Sequence, residues 1–393
     1  MEEYQHTMSN WAELQRDLLI EIAKRVAFLE DFSVFSRVCR SWRLVAVEEN
    51  FKGSQQIPWL MLAEEDNGSS SRRLVSATDG NPIGNLLLPE AEGRRCMETL
   101  GWLVTASEAG DINLLDPISR VQIPLPHIST FKHYEDNMPV NFFYIQKAVL
   151  SSRPCISSKE NNYVLMVTYE GCGFLGFWKS GDKAWTTIET HEGAFHDITY
   201  HHGQFYAVNS EGNVFVCDVG GRDPTVAQLC GGIPTEILFF KRPYIVESTG
   251  EEVLIVVRDG YELEFDEDAV EEEDSEFYSK DENEFKGHYG TKEFRVFKVD
   301  LSNREWVELQ SLGDNALFVG DNASISVQAS KFQGIRPNCI YFTDDCWPGY
   351  IWSKRGGGKD MGIYNMEDRS LTPCYKGSSF SRFCPPLWVR PYF

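Results

Sequence analysis

The stretch Ser107-Glu108-Ala109-Gly110-Asp111-Ile112-Asn113-Leu114-Leu115-Asp116 returns, one residue shorter, as Ser210-Glu211-Gly212-Asn213-Val214-Phe215-Val216-Cys217-Asp218. Each copy reads as a strand, a glycine-containing turn and a second strand, because small polar turn formers separate runs suited to a pleated surface. A second recurring unit is an apolar strand, a polar turn and a tryptophan entering the next strand. It spans Phe177 to Trp185 and again Phe297 to Trp306.

Outward from these hairpins the texture is uniform. From Ile57 onward, short β-branched and aromatic runs are broken at intervals of roughly ten residues by Gly, Asp, Asn and Pro, the pattern of an all-β domain. The hairpins group into about six units, near Trp59 to Leu88, Met97 to Leu125, Ala148 to Ile188, Phe195 to Leu229, Ile237 to Leu309 and Ala316 to Cys374. Small antiparallel sheets that cannot each bury both faces are satisfied by radial stacking, so the expected fold is a β-propeller. A large sandwich, or two, is the competing arrangement, and five or seven blades fit the pattern as well as six.

The first fifty residues differ. Leu18, Ile22, Val26 and Leu29 recur at helical spacing, and Asn10 with Glu13 three residues on suits a capped start. Asp31 begins a second short helix with Val34, Phe35 and Val38, and a third carries Trp42, Val45 and Ala46. The fold class is therefore α followed by all-β, with a three-helix module at 9–50 and the β domain at 57–393. Forty residues hold too little core to be comfortable alone, so some of the module's apolar surface should face a partner.

Lys plus Arg number 37 against 59 acids in 393 residues, a formal net charge of −22, which disfavours binding a phosphate backbone. The acidity is local. The run Glu262 to Glu284 holds thirteen acids and one base, Lys280, giving −12 there and leaving −10 for the rest. Like charges at this density predict a solvated loop insertion, with an electrostatic contact for a basic partner as the sharper reading. No membrane span or export signal is visible, and ten irregularly placed cysteines suit reduced thiols in the cytoplasm or nucleus.

The string Trp11-Ala12-Glu13-Leu14-Gln15-Arg16-Asp17-Leu18-Leu19-Ile20-Glu21-Ile22-Ala23, followed by Val38-Cys39-Arg40-Ser41-Trp42-Arg43, resembles the F-box. In that family a Leu-Pro-x-Asp-Leu-Leu segment opens a three-helix module; here Gln15 stands where proline is usual, which bears on the entry of the first helix. Ala316-Leu317-Phe318-Val319-Gly320-Asp321-Asn322, Asn338 to Asp345 and the closing Pro386-Leu387-Trp388-Val389 are similar to the β-propeller of plant F-box proteins of the KIB type. Together the two resemblances cover nearly the whole chain. They imply a substrate receptor of an SCF-type ubiquitin ligase, with the F-box docking a cullin-ligase adaptor of the S-phase kinase-associated family and the propeller holding an unidentified target protein.

On that reading Leu14, Leu18, Leu19, Ile22, Val38, Cys39 and Trp42 form the adaptor face, a helix-in-groove contact; Trp42 and Val38 equally suit the module's own core. Trp347, Tyr350 and Trp352 are candidates for an aromatic, target-facing loop. Two other function classes stay open: an F-box-like scaffold uncoupled from ubiquitination, and a propeller enzyme, which would need a central channel lined by convergent carboxylates or histidines.

Other chemistry is weakly supported. His191 and His196 are one residue too far apart for a helical zinc motif, and His201-His202 beside Gly203 suit a hairpin turn. Arg355-Gly356-Gly357-Gly358-Lys359-Asp360 fails as a phosphate loop, with Asp360 where Ser or Thr belongs, and reads as a flexible loop tip. No catalytic residue, metal site, cofactor or nucleic-acid contact is expected.

Overall fold

The structure is a computed structural model that describes residues 11–26, 32, 34–36, 38–47, 50, 57–64, 70–135, 144–155, 162–171, 173–221, 223–233, 241–250, 252–260, 289–347, 350, 356–377, 379–381 and 383–390. The acidic run Glu262 to Glu284 lies outside them.

Trp59–Met61 (β1), Ser71–Ser76 (β2) and Pro82–Leu87 (β3) belong to the first sheet. Arg95–Thr99 (β4), Trp102–Ala106 (β5), Ile112–Leu115 (β6) and Gln122–Pro124 (β7) form the second. Ile145–Leu150 (β8), Val164–Tyr169 (β9), Phe174–Lys179 (β10) and Thr186–Ile188 (β11) form the third; Phe195–His201 (β12), Gln204–Asn209 (β13), Val214–Asp218 (β14) and Thr225–Cys230 (β15) the fourth. Arg242–Glu247 (β16), Val253–Asp259 (β17), Glu293–Asp300 (β18) and Glu305–Leu309 (β19) make the fifth. The sixth holds Asn315–Val319 (β20), Ser324–Gln328 (β21), Cys339–Phe342 (β22), Gly362–Asn365 (β23) and Leu371–Thr372 (β24), and Leu387–Val389 (β25) returns to the first. The fold is a six-bladed β-propeller, and the six units read from the hairpins fall one to a blade.

Two features depart from simple repetition. Blade one takes its innermost strand from the end of the chain: β25 pairs with β1, Leu60 opposite Trp388. Blade six runs β21-β20-β22-β23-β24, with β20 and β22 parallel. The strands that meet across neighbouring sheets, β4, β8, β12, β16, β21 and β25, line the axis.

The repeated hairpin is confirmed with a shifted register. Ser107 N donates to Asp111 O (3.0 Å) and Gly110 N to Ser107 O (3.0 Å); Asn209 N donates to Asn213 O (3.2 Å) and Gly212 N to Asn209 O (2.9 Å). Ser107 therefore corresponds to Asn209, not Ser210, and the two copies match without a gap. Gly110 (φ 93°) and Gly212 (φ 71°) occupy the left-handed position that closes each turn.

The helical segment is more broken than its periodicity suggests. A 3-10 turn covers Trp11–Glu13 and an α-helix Arg16–Ala23. Gln15 is the N-cap of that α-helix: its carbonyl accepts from Leu19 N at 3.1 Å. Residues 32 and 34–36 are helical, and Arg40–Arg43 forms the last helix, with Val45 and Ala46 beyond its end. Asn10, Leu29 and Asp31 lie outside the described residues. Leu19, Ala23, Phe32, Phe35, Val45 and Ala46 join Trp59, Met61, Leu86 and Leu103 in one apolar cluster, so blades one and two supply the core the short module lacks.

Candidate functional site

Helix geometry sorts the apolar residues of the N-terminal module into two faces. Leu19 and Ala23, four apart, turn inward and are essentially buried, whereas Leu18 is 52% exposed. Leu14 and Ile22 are half-buried against the cluster. Leu19 is therefore a core residue, a correction to its place on the expected adaptor face. Val38 is 52% exposed.

Trp42 is held by the module itself. Its indole Nε1 donates to Trp11 O at 2.9 Å, its ring packs on Phe35 at 4.5 Å, and the neighbouring Ser41 Oγ donates to Ala12 O at 3.0 Å. These bonds tie the first turn to the last helix. Cys39 is half-buried with Sγ 3.0 Å from Ser41 Oγ, a contact that lowers its thiol pKa. Four residues join Leu18 and Val38 at the surface that sequence reasoning passed over: Trp11, Val34, Leu44 and Val47. Val34 and Val38 stand four apart, so spacing already marked them as one stripe.

The axis of the propeller is closed by the turn between β20 and β21. Asp321 Oδ2 accepts from Arg95 Nη2 at 2.5 Å, and Arg95 also donates to Ile145 O (2.6 Å) and Gln146 O (3.2 Å). Asn322 Nδ2 donates to Glu98 O (2.5 Å), and its Oδ1 accepts from Ala148 N (2.9 Å). Ser324 Oγ donates to Asp197 Oδ2 (2.6 Å) and accepts from Lys147, whose ammonium pairs with Asp197 at 2.7 Å. Residues 321–324 thus cross the channel and are hydrogen-bonded to blades two, three and four.

Beyond this plug lies a polar funnel of about 330 Å³ to which every blade contributes, including Glu98, Lys147, Thr199, Ser248, Ser326 and Arg390. Burial raises the Glu98 pKa, opposed by the nearby Arg390 guanidinium. Three buried carboxylates are matched by cations from other blades: Asp197 by Lys147, Asp321 by Arg95, and Asp345 by Arg258 at 2.7 Å. These three pairs hold the blades together.

The region proposed as an aromatic target-facing loop is built inward instead. Tyr350 is buried, with its hydroxyl 3.3 Å from Asp344 O and its ring against Gly357, where a Cβ would come within 2.5 Å. This corrects its assignment as a partner-facing residue. Trp347 is half-buried beneath the Arg95 guanidinium, 5.5 Å from its ring, and Trp352 lies outside the described residues. The Gly-rich run is likewise no flexible tip. Gly358 N (2.7 Å), Lys359 N (2.8 Å) and Asp360 N (3.3 Å) all donate to Asp344 Oδ2, and Cys346 N donates to Oδ1 (2.9 Å). The run cradles an anion as a phosphate loop does, but the anion is an internal carboxylate. Gly358 has φ 106°, and a Cβ there would meet Ser379 O at 2.1 Å.

Among the described residues no cluster of three His, Cys, Asp or Glu is placed to hold a metal. His191 is exposed, and His196 on β12 is held neutral, its pKa down to about 4, by burial and by Arg242. His202 (φ 47°) and Gly203 (φ 84°) form the β12–β13 turn, and His201 Nδ1 lies 2.9 Å from Glu247. No described helix is long and apolar enough to cross a membrane.

The arrangement matches known proteins over nearly its full length. The family model described as KIB1-4 beta-propeller matches residues 74–365. A putative F-box protein of Arabidopsis thaliana is 24% identical over 388 residues, covering 98% of this chain and 97% of its own. The F-box protein SKIP23 of Arabidopsis thaliana is 26% identical over 422 residues with the same coverage of each chain, and another putative F-box protein of that plant is 27% identical over 400 residues, covering 96% and 99%.

Proposed function

Because the chain belongs to the KIB1-4 beta-propeller family, we propose that it is the non-catalytic substrate receptor of an SCF-type ubiquitin ligase, working in the cytoplasm or nucleus. One observation carries the reading. Of the nine large apolar side chains that stand clearly exposed among the described residues, six fall in the helical module: Trp11, Leu18, Val34, Val38, Leu44 and Val47. Six exposed apolar side chains concentrated on one small module mark a binding site or a liability.

The module has two faces with separate duties. Leu19, Ala23, Phe32 and Phe35 fasten it to the propeller, and the exposed set receives the adaptor, supplying apolar anchors to a groove. Gln15 keeps the backbone that proline would impose, with φ −60° and ψ 143°, so the entry to the first helix is retained despite the substitution. The propeller is the rigid body on which target-binding loops are mounted. Ubiquitin transfer occurs on other subunits, and this chain contributes proximity.

The test is capture of a purified S-phase kinase-associated adaptor by the full chain. The expected result is a stable complex that Leu18→Asp with Val38→Asp abolishes. An undiminished complex in that double variant, with wild-type thermal stability, overturns the proposal.

A further inference from the structure

The funnel beyond the 321–324 plug is walled by hydroxyls drawn from five blades. Thr99 ends β4, Ser151 follows β8, Thr199 lies on β12, Ser248 follows β16 and Ser326 lies on β21, so each belongs to the axial strand of its blade or to the turn after it. Arg390, the residue after β25, takes the corresponding place in blade one. Asn322 and Ser324 of the plug also line the cavity and close the end opposite its mouth.

Three of these hydroxyls already accept from the backbone. Leu150 N donates to Thr99 Oγ1 (2.9 Å), Val164 N to Ser151 Oγ (2.9 Å), and Gly250 N and Glu252 N to Ser248 Oγ (3.2 Å each). A hydroxyl oxygen that accepts from an amide keeps its own proton for a further acceptor. Ser326 Oγ is enclosed with no hydrogen-bond partner among the described residues, a state that folded proteins rarely leave uncompensated. Glu98 and Glu247 place acceptors in the same wall.

The charges of the wall are balanced. Lys147 pairs with Asp197 at 2.7 Å, Arg390 stands 3.9 Å from Glu98, and Glu247 lies 2.9 Å from His201. An anion therefore meets no net positive charge in a chain that is strongly acidic overall. A cation meets hydroxyl protons, which repel it.

We propose that the funnel is a binding site for a small uncharged cyclic polyol, a single-ring sugar or cyclitol, whose outward hydroxyls meet this ring of donors and acceptors. Each hydroxyl of such a ligand both donates and accepts, as the mixed wall requires. Polar groups that stand around an axis suit a disc-shaped molecule whose own polar groups radiate from its rim. The volume of about 330 Å³ lies within the range of about 300–1,000 Å³ usual for small-molecule sites. The inference is independent of the adaptor reading.

The test uses the full chain with glucose, galactose and myo-inositol as probes, read by titration calorimetry and by the unfolding midpoint. The expected result is saturable binding of at least one probe below about 10 mM, with a midpoint that climbs with the logarithm of free ligand. Ser326→Ala with Thr199→Val removes two cavity hydroxyls at little change in volume. That double variant should keep the ligand-free midpoint and bind about tenfold more weakly. Polyols at high concentration raise the midpoint of folded proteins in general, so a rise shared equally by wild type and double variant, without saturable heat, overturns the proposal. Saturable binding that the double variant retains in full places the site elsewhere and also overturns it. So does saturable binding of citrate or putrescine in place of the three polyols, which would make the funnel an anion or a cation site.

Discussion

Leu60, near the start of the β domain, and Trp388, five residues before the last residue of the sequence, lie directly opposite one another across the β1–β25 ladder. This antiparallel pairing is the only strand ladder among the described residues that joins the two ends of the propeller, and it converts a row of blades into a ring.

Trp388 is fully buried and meets Phe318 edge to face at 5.0 Å and Tyr341 at 6.3 Å, so it ties blade one to blade six. Replacing it by alanine removes a large enclosed side chain at a closure point. Trp388→Ala should cost about 3–5 kcal/mol, read as a lower urea midpoint, whereas Val307→Ala on an exposed outer strand should change it little.

The two faces of the first helix predict opposite phenotypes. Leu18→Asp should leave the unfolding midpoint unchanged and weaken adaptor capture. Leu19→Asp buries an unpaired charge in the cluster shared with the propeller and should destabilise the chain by several kcal/mol. Thermal unfolding and adaptor pull-down, measured on the same samples, separate the two.

Gln15 already has proline-like φ, so Gln15→Pro should reduce the freedom of the unfolded chain without straining the folded one. The expected gain is about 0.4–1 kcal/mol, with adaptor affinity retained or increased. A loss of stability would show that the Gln15 N–H or side chain makes a contact that proline cannot.

His196 sets a pH dependence whose sign is fixed by its suppressed pKa. The unfolded residue takes a proton near pH 6.5, while the folded one stays neutral down to about 4, with Arg242, Asp197 and Asp345 as the charges facing it. Between those values the unfolded state binds more protons, so stability is full above pH 6.5 and falls as pH drops through the window, by at most about 3 kcal/mol. Glu98 and Asp344, whose pKa values are raised by burial, act the other way: each is more favourably folded once protonated. Urea midpoints at pH 7 and pH 5 should converge in His196→Gln relative to wild type.

Breaking the buried network of blades five and six should be severe. Arg258 joins Asp345 and Asp360, each at 2.7 Å, and Tyr244 donates to the same Asp345. Arg258→Met leaves Asp345 with Arg242 at 3.3 Å and Asp360 with the Thr291 hydroxyl, and should cost about 3–5 kcal/mol, measured by denaturant unfolding.

Much of this molecule was readable before its fold was known. The recurrence around Gly110 and Gly212 marked the hairpins because a turn of this kind needs a left-handed residue at one fixed place. The exposed pair Leu18 and Val38 sat within a recognisable motif. The inward face of Tyr350 was hidden, because an aromatic cluster beside glycines looks the same in a loop at the surface as in a loop packed on Asp344. A further signal lies in Arg258, a single cation directly after the apolar run Val253 to Val257, where a buried charge implies a distant partner.

By itself the sequence determined the all-β texture, the grouping into about six units, the separate helical start and the local concentration of negative charge. These follow from spacing of two and of three or four residues, which reports the face a side chain takes. Tertiary structure alone decided that the final strand completes blade one, that residues 321–324 block the axis, and that Leu19 points inward while Leu18 does not. Each depends on which remote residue stands opposite, as when Arg95 meets Asp321 across 226 positions of chain. Local periodicity has no term for such a partner, because the choice is made by packing all six blades around one axis at once.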